Sequence, residues 1–258
     1  MKIETTIRKF NHQSGKNIDI HGAQIYVEEI GHKSAFPLVF LHGGFGSIQD
    51  FNPLLDKIEG NFRFIGIDTR GHGRSTLGNE SLSYELLQND VENILEQLGI
   101  SKCYLVGFSD GGITAYHLAI KNPSLVLKIV TIGADWCPPN LDLQARFLAL
   151  TTESWKKRFP ESVELYNSLN PQANFEILMK KVITMWLNPS GYPQERLKEI
   201  RSELLIIRGD EDHLMPRSST TTLSEYLPAA KLLNIPFAGH AAHADQSEIV
   251  GKILKQFF

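Results

Sequence analysis

Leu105-Val106-Gly107-Phe108-Ser109-Asp110-Gly111-Gly112 is the stretch of this sequence that decides the fold. The residues from Cys103 to Gly107 are apolar and partly β-branched, which is typical of a short buried strand. From about Gly112 to Asn122 the apolar residues have the spacing of an amphipathic helix. A chain that turns directly from strand into helix leaves no room for a Cβ at the glycines of Gly-x-Ser-x-Gly, and it exposes the serine hydroxyl. The stretch therefore predicts a nucleophilic serine, Ser109, beside the free N–H groups of a helix N-terminus.

Strands and helices alternate on both sides of this stretch. Two short strands joined by a turn at His21-Gly22 are predicted near 17–20 and 24–29, and apolar runs predict buried strands at 37–41, 61–68, 127–133, 203–207 and 231–235. Amphipathic helices are predicted at 83–99, 218–226 and 247–258. This alternation predicts an α/β fold, with a mostly parallel central sheet and helices on both of its faces.

The alternation stops between Ala134 and about Ile200. This segment has helix-like patterns, contains all three tryptophans of the chain, and is divided by prolines. We interpret residues 135–201 as a helical cap inserted between two parts of an α/β core, 1–134 and 202–258. Most of the large apolar side chains of the segment are expected to form the core of the cap. Trp136, Phe147 and Trp186 are the candidates for contact with an apolar substrate.

The composition limits the class of protein. The 258 residues are 42% hydrophobic, which is enough for a sizeable core, and the net charge of −3 gives no reason to expect nucleic acid or a membrane surface as a partner. No apolar run has membrane-spanning length, and residues 1–8 lack the apolar core of a signal peptide. Since Cys103 falls in a predicted core strand and Cys137 is the only other cysteine, no disulfide framework is expected. These features predict a cytoplasmic protein, either a monomer or a homodimer.

Glycine-rich loops follow several of the predicted strands, and three of these loops hold a serine, an acid and a histidine in that order. In a parallel sheet, ligands gather beyond the carboxyl ends of the strands. A serine hydroxyl is a poor nucleophile until a base takes its proton, and the base must itself be oriented by a carboxylate. The order of the loops therefore predicts a Ser-His-acid arrangement at one edge of the sheet.

The motifs at these strand ends resemble those of the α/β-hydrolase fold family, in its esterase-like branch with a helical cap. They are His42-Gly43-Gly44, Asp68-x-Arg70-Gly71-x-Gly73-x-Ser75, Gly107-x-Ser109-x-Gly111, Gly209-x-x-Asp212 with Pro216, and Gly239-His240. The resemblance covers about 37–258. It implies a serine hydrolase that cleaves a small ester or amide through an acyl-enzyme without a cofactor. In its catalytic triad Ser109 is the nucleophile, His240 the base and Asp212 the acid. His42 and His72 lie in motifs whose implied role is to shape the loops beside the site.

Each triad assignment has an alternative in the sequence. The alternatives are His243 for the base, and Asp210, Glu211 and Asp135 for the acid. The family places its base directly after the glycine that follows the last strand, which favours His240. Its Gly-x-x-Asp pattern favours Asp212. Asp135 is the strongest competitor, because some members of the family keep their acid at the end of the strand before the cap.

The run His240-x-x-His243-x-Asp245 also resembles a set of metal ligands. A triad already uses His240, and no third ligand cluster of a suitable type is nearby, so no metal is expected. The triad itself leaves two other functions open. One is hydrolysis of a C–C bond, and the other is a small-molecule receptor or signalling protein in which turnover is slow.

Acyl transfer needs N–H donors for the oxyanion that forms. The expected oxyanion hole consists of the backbone amides of Asp110 and Gly44, with Phe45 as an alternative to Gly44. The Asp110 carboxylate is then free to stabilise the helix N-terminus or to bind a cationic group of the substrate. The run from Phe108 to Gly112 is similar to the Trp-Ser-Asp-Gly-Gly elbow of biphenyl hydrolase-like, valacyclovirase-type enzymes. That resemblance implies recognition of an α-amino group, as in an amino-acid ester, and both interpretations stay open.

Overall fold

The computed structural model describes residues 8–258. The expectation that residues 1–8 lack the apolar core of a signal peptide therefore falls almost entirely outside the described residues. Eight strands form one sheet, and helices flank it, which confirms the predicted α/β architecture. The strands are β1 (Lys16–Ile20), β2 (Ala23–Ile30), β3 (Phe36–Leu41), β4 (Phe62–Ile67), β5 (Cys103–Phe108), β6 (Val126–Ile132), β7 (Glu203–Gly209) and β8 (Lys231–Ile235).

The order of the strands brings the motif-bearing loops to one edge of the sheet. That order is β1-β2-β4-β3-β5-β6-β7-β8. β2 is antiparallel to β1 and to β4, and every other pair is parallel. The registers pair Leu41 of β3 with Gly107 of β5, and Phe108 of β5 with Ile132 of β6. Since β3 and β5 to β8 all run in the same direction, the loops after them open at a common edge.

Ten α-helices connect and cover the strands in the described part of the chain. They are α1 (Asn52–Leu55), α2 (Tyr84–Gln97), α3 (Asp110–Lys121), α4 (Leu141–Leu148), α5 (Thr152–Arg158), α6 (Pro160–Leu169), α7 (Phe175–Trp186), α8 (Arg217–Tyr226), α9 (Ala242–Asp245) and α10 (Ser247–Phe257). None of them is both long enough and apolar enough to cross a membrane. The two cysteines are free thiols.

Apolar side chains pack against both faces of the sheet. One layer includes Val39 and Leu105 with the apolar stripe of α2, and the other includes Phe40 and Val106 with side chains of α1 and α10. Adjacent residues of β3 and of β5 thus point to opposite faces, and both faces are buried. This is why the parallel strands appear in the sequence as continuous apolar runs.

Helices α4 to α7 and two 3₁₀ turns occupy the chain between β6 and β7. α7 buries one side, through Phe175, Leu178, Met179, Val182 and Met185, at the spacing of a helix face. α4, in contrast, buries none of its residues fully. α7 is therefore packed firmly onto the protein, whereas α4 lies over it more loosely.

Short helices and one helix start differ from the sequence prediction, which also lacked α9. The helical stretch formed by a 3₁₀ turn (Ile48–Phe51) and α1 was not predicted, because it is too short to show a helical period. α3 begins at Asp110, two residues before the predicted start. Gly111 and Gly112 are poor helix formers, yet the sharp turn at Ser109 leads directly into the helix.

Candidate active site

Ser109 lies on the turn between β5 and α3, with φ 51° and ψ −118°. A positive φ at a residue with a side chain costs about 1–3 kcal/mol and persists only where the surroundings enforce it. An ideal Cβ on Gly107 would lie 2.5 Å from the carbonyl oxygen of Gly111, and one on Gly111 would lie 1.9 Å from the carbonyl oxygen of Leu41. The close approach that the sequence predicts is therefore present, and it keeps Ser109 at the carboxyl edge of the sheet.

His240 comes after β8 and reaches the serine. Its Nε2 is 3.0 Å from Ser109 Oγ, and its Nδ1 is 2.9 Å from Asp212 Oδ2. An ionised carboxylate only accepts hydrogen bonds, so the Nδ1–H donates to Asp212 and the Nε2 lone pair faces the hydroxyl. The structure thus brings these three predicted residues together, in an arrangement that can take a proton from the serine.

Asp212, directly after β7, is held by its own loop. Its side chain is buried, and Oδ1 accepts hydrogen bonds from the backbone amides of Leu214 at 2.8 Å and Met215 at 3.1 Å. Burial by itself raises the pKa of Asp212. The hydrogen bond and charge of His240, together with the two amides, outweigh that effect and place the pKa below its ordinary value. The carboxylate therefore stays ionised and can orient the imidazole.

The alternative acid, Asp135, has other partners. It follows β6, and its Oδ1 accepts hydrogen bonds from Ser219 Oγ at 2.6 Å and from the amide of Trp136 at 2.7 Å. Burial raises its pKa, and the negative charge of Asp212 adds to that effect. His240 directs its Nδ1 to Asp212, so Asp135 takes no part in this hydrogen-bonded line.

The remaining alternatives in these loops also face elsewhere. Asp210 forms an ion pair with Arg217, and Glu211 is exposed. The ring of His243 is fully buried against Phe51 and Phe108, at centroid distances of 5.3 and 4.7 Å. Burial lowers the pKa of His243 to about 4. His243 therefore packs in the core as a neutral side chain.

The three side chains of the metal-like run contact different groups. His240 faces Ser109, His243 packs in the core, and Asp245 Oδ2 accepts a hydrogen bond from the amide of Gly239 at 2.8 Å. In residues 8–258 no three His, Cys, Asp or Glu side chains are grouped to hold a metal ion. The Asp245 bond instead ties the end of α9 to Gly239, the residue before His240.

His42 and His72 hold the loops after β3 and β4. The Nδ1–H of His42 donates to the carbonyl oxygen of Gly43 at 2.7 Å, and its Nε2 accepts from the amide of Thr69 at 2.9 Å. Nδ1 of His72 donates to the carbonyl oxygen of Arg70 at 3.0 Å. Burial lowers the pKa of both histidines, to about 3 for His72. Both are neutral groups that join backbone segments, as the resemblance implies.

The loop after β3 lies against the elbow. An ideal Cβ on Gly43 would be 3.0 Å from Ser109 Cβ, and one on Gly44 would be 2.7 Å from Asp110 Oδ2. No backbone carbonyl or side chain in residues 8–258 accepts a hydrogen bond from the amide of Gly44 or Asp110. The ring of Phe45 is buried against aromatic side chains. The backbone of Gly44 is therefore next to the nucleophile with its N–H group unused, and the amide of Phe45 likewise has no acceptor in residues 8–258.

The carboxylate of Asp110 is buried and hydrogen-bonded within the protein. Its Oδ1 accepts from Tyr84 OH at 2.8 Å, and the indole N–H of Trp186 lies 2.8 and 2.9 Å from its two oxygens. Burial raises the pKa of Asp110, although both hydrogen bonds oppose that effect. No Lys, Arg or His nitrogen among the described residues lies within 4 Å of it. Tyr84 was missed in the sequence, where it is only one more apolar residue at the start of α2.

A small cavity of about 60 Å³ opens at Ser109. Its walls come from the core and from the segment between β6 and β7, and they include Tyr84, Ser109, Asp110, Ile113, Phe147, Trp186, Tyr192 and His240. Phe147 and Trp186, which the sequence proposes for substrate contact, thus lie beside the nucleophile. Tyr192 was missed because it follows a proline-rich turn with no recognisable motif.

A second, larger cavity of about 570 Å³ adjoins the small one. Phe147, Trp186, Leu214 and His240 line both cavities, so the two cavities meet at these side chains. The larger cavity extends along α4 and α5 and is lined by Arg146, Phe147, Ala149, Leu150, Trp155, Arg158, Phe159, Trp186, Glu211, His213, Leu214, Gly239 and His240. His240 is therefore accessible from two chambers of different size.

Trp136 lies apart from these chambers. Its indole N–H donates to the carbonyl oxygen of Ser219 at 3.2 Å, and its ring stacks on Tyr226 of α8 with a centroid distance of 5.4 Å. It lines neither chamber. The ring faces α8 because its N–H group needs a partner at that partly buried position. Of the three candidate contact residues, only Phe147 and Trp186 line the chambers.

Comparisons with known proteins agree with this architecture. The sequence model of a family described as alpha/beta hydrolase fold matches residues 37–181, more than half of the chain. The chain is 27% identical over 245 residues to the sn-1-specific diacylglycerol lipase ABHD11 of Mus musculus, covering 82% of this chain and 77% of that protein. It is 24% identical over 247 residues to the serine hydrolase BPHL of Homo sapiens, covering 93% and 84%.

Solved structures show the same fold. The meta-cleavage product hydrolase of Pseudomonas fluorescens IP01 matches with a TM-score of 0.81 and 21% identity, covering 96% of this chain and 98% of that one. A structure described among the carboxylesterases of Nitrososphaera gargenis matches with a TM-score of 0.78 and 20% identity, covering 94% and 97%. At this identity the likeness concerns the fold, while the chemistry has to be argued from the residues of the site.

Proposed function

Because the chain belongs to the alpha/beta hydrolase fold family, we propose that it is a serine hydrolase that cleaves a small ester or amide through an acyl-enzyme. The chain is a hydrolase. The names of its relatives agree with this general assignment, since they include a lipase, a putative esterase/lipase and a serine hydrolase. The assignment of the reaction to Ser109, His240 and Asp212 is our proposal and rests on the geometry of these three side chains.

In the first half of the reaction, His240 Nε2 takes the proton from Ser109 as Oγ attacks the carbonyl carbon of the substrate. The π electron pair of the carbonyl moves to its oxygen, and the amides of Asp110 and Gly44 donate to the oxyanion. The bond to the leaving group then breaks with its electron pair, and the leaving atom takes the proton from His240. An acyl-enzyme on Ser109 remains.

In the second half, water replaces the leaving group and the steps repeat. His240 takes a proton from the water, whose oxygen attacks the acyl carbon. The oxyanion forms again at the same two amides, and its collapse returns the bonding pair and the proton to Ser109 Oγ. Asp212 stays ionised throughout and stabilises the imidazolium that forms twice.

One observation carries this proposal. The contacts Ser109 Oγ to His240 Nε2, at 3.0 Å, and His240 Nδ1 to Asp212, at 2.9 Å, join residues from three separate loops. A buried carboxylate, an imidazole and a strained serine have no structural need to form such a line. Their alignment at the mouth of a cavity supports acyl transfer.

Covalent trapping tests the proposal. The protein is treated with a fluorophosphonate and digested, and we expect the mass of the adduct on the peptide that carries Ser109, with loss of p-nitrophenyl acetate turnover in parallel. Ser109→Ala is the control and should give neither adduct nor turnover. Turnover that survives in Ser109→Ala, or an adduct on another residue, would contradict the mechanism. Labelling without steady turnover would instead support a receptor with slow chemistry.

Asp110 supplies a test of the substrate class. Because Tyr84 and Trp186 already donate to its carboxylate, we infer that it positions Trp186 beside the nucleophile. Asp110→Asn leaves an N–H₂ group facing at least one of these donors, so we expect kcat/KM to fall about 10- to 100-fold, equally for p-nitrophenyl acetate and for an alanine ester. Tyr84→Phe removes one of the two donors and should cost less. A loss confined to the alanine ester would instead identify Asp110 as the site for an ammonium group.

A further inference from the structure

The two chambers that meet at His240 differ in the parts of the catalytic machinery that they contain. The small chamber contains Ser109 and Asp110, together with His240. The large chamber contains His240 and Gly239, and neither Ser109 nor Asp110 lines it. A substrate with its carbonyl carbon at Ser109 therefore has one part beside the nucleophile and the other part beyond the imidazole.

Proton transfer decides which part of the substrate lies in which chamber. The leaving atom must take its proton from His240 Nε2, so the leaving group lies on the imidazole side. The acyl part stays with the carbonyl carbon in the small chamber. The small chamber, at about 60 Å³, has roughly a tenth of the volume of the large one, at about 570 Å³. The acyl part is therefore short, whereas the 570 Å³ chamber accepts a much larger leaving group.

The large chamber has an apolar interior and two guanidinium groups. Leu150, Trp155 and Phe159 form apolar wall, and Arg146 of α4 and Arg158 of α5 add positive charge. Both arginines are exposed. Arg158 lies over the ring of Phe159 at 5.2 Å.

The charge of these two arginines is not neutralised by an ion pair. Arg146 makes a long contact, 3.4 Å, to the carbonyl oxygen of His213. Among residues 8–258, no carboxylate oxygen lies within 4 Å of a nitrogen of either arginine. Glu211 is the one acid that lines this chamber, and it is exposed, so the two guanidinium groups outnumber it. The lining favours an anion.

We propose that the substrate is an ester of a short acid whose leaving group is large and apolar and bears an anionic group bound by Arg146 and Arg158. This inference rests on the proposed serine hydrolase function and specifies its substrate. The apolar part of the leaving group packs between α4, α5 and Trp186. The anionic group, whether carboxylate, sulfonate or phosphate, reaches the guanidinium groups at the chamber wall, where bidentate hydrogen bonds are available.

A matched pair of acetate esters tests the proposal. The acetate esters of 2-naphthol and of 6-hydroxynaphthalene-2-sulfonate share the acyl group and the ring, and they differ in one negative charge. We expect kcat/KM to favour the sulfonated ester by roughly tenfold at low ionic strength, since two exposed charge contacts are each equivalent to a few-fold. The preference should decrease as salt is added, because exposed charges are screened.

Variants assign the preference to the two arginines. Arg146→Gln and Arg158→Gln should each reduce the preference, taken as the ratio of the two kcat/KM values, about three- to fivefold. Arg201→Gln is the matched control, because Arg201 is exposed in the same segment and lines neither chamber. A wild-type enzyme that prefers the neutral ester, or variants that lose both esters equally, would refute the proposal.

Binding separates this inference from the proposed function. Ser109→Ala cannot form an acyl-enzyme, and Ser109 does not line the large chamber, so fluorescence titration with 6-hydroxynaphthalene-2-sulfonate and with 2-naphthol measures binding without turnover. Tighter binding of the sulfonate, weakened by Arg158→Gln, supports the anion site even if no ester is turned over. Equal binding of the two naphthols overturns it, even if ester hydrolysis by Ser109 is fully established.

Discussion

Asp212→Asn should lower kcat for p-nitrophenyl acetate by about 10⁴-fold, while Asp135→Asn should lower it by less than about tenfold. The difference follows from the partners of the two acids. Asp212 Oδ2 accepts the Nδ1–H of His240, whereas Asp135 accepts from Ser219 and from a backbone amide. An asparagine amide at 212 donates to Nδ1, which moves the imidazole proton to Nε2. The Nε2 atom of His240, which faces Ser109, then has no lone pair to take the proton of the hydroxyl.

The measurement is kcat at neutral pH for both variants, together with the urea midpoint of unfolding. Asp135→Asn is a matched control because its carboxylate is partly buried and follows the end of the neighbouring strand β6. Equal losses of activity in the two variants would mean that His240 moves between the two acids. A loss confined to Asp135→Asn would transfer the role of the acid to that residue and would leave Asp212 as a loop-holding group.

The grouping of Ser109, His240 and Asp212 was predictable because each of these residues closely follows the end of a strand. Gly209-x-x-Asp212 and Gly239-His240 follow β7 and β8, and in a parallel sheet the ends of neighbouring strands meet. The strand order therefore explains why these loops meet at one edge. The choice of His240 over His243, and of Asp212 over Asp135, came from the resemblance to the α/β-hydrolase family rather than from strand order or spacing alone.

The surroundings of Asp110 could not be predicted in the same way. Tyr84 comes from α2, Asp110 from α3 and Trp186 from the end of α7, and no spacing in the sequence relates these three helices. Their meeting depends on how α7 packs across the sheet edge. The same packing turns Trp136 towards α8 and Trp186 into the site, although both are large aromatic residues of the same segment.

Gly111 is the position where the elbow has the least room. An ideal Cβ there would lie 1.9 Å from the carbonyl oxygen of Leu41, 2.4 Å from its carbonyl carbon and 2.7 Å from the carbonyl oxygen of His42. These are backbone atoms at the end of β3, which is paired with β4 and β5, so they have no flexible side chain that could move aside. Relief requires α3 to shift away from the sheet, and Ser109 would move with it.

Gly111→Ala should therefore destabilise the protein by about 3 kcal/mol and reduce turnover severely, since an inserted methylene in a packed site costs about 1–3 kcal/mol even where side chains can yield. The sign of this change in stability distinguishes Gly111 from an ordinary helical glycine. In a helix with free space, alanine is more stable than glycine by about 1 kcal/mol, so an ordinary helical site would give the opposite change. Gly239→Ala is the stability control, because its Cβ would meet only Asp245 Oδ2, at 3.5 Å. Urea unfolding of both variants measures the difference. A Gly111→Ala protein as stable as the wild type would show that α3 does not approach β3 this closely, and the strained turn at Ser109 would lose its physical cause.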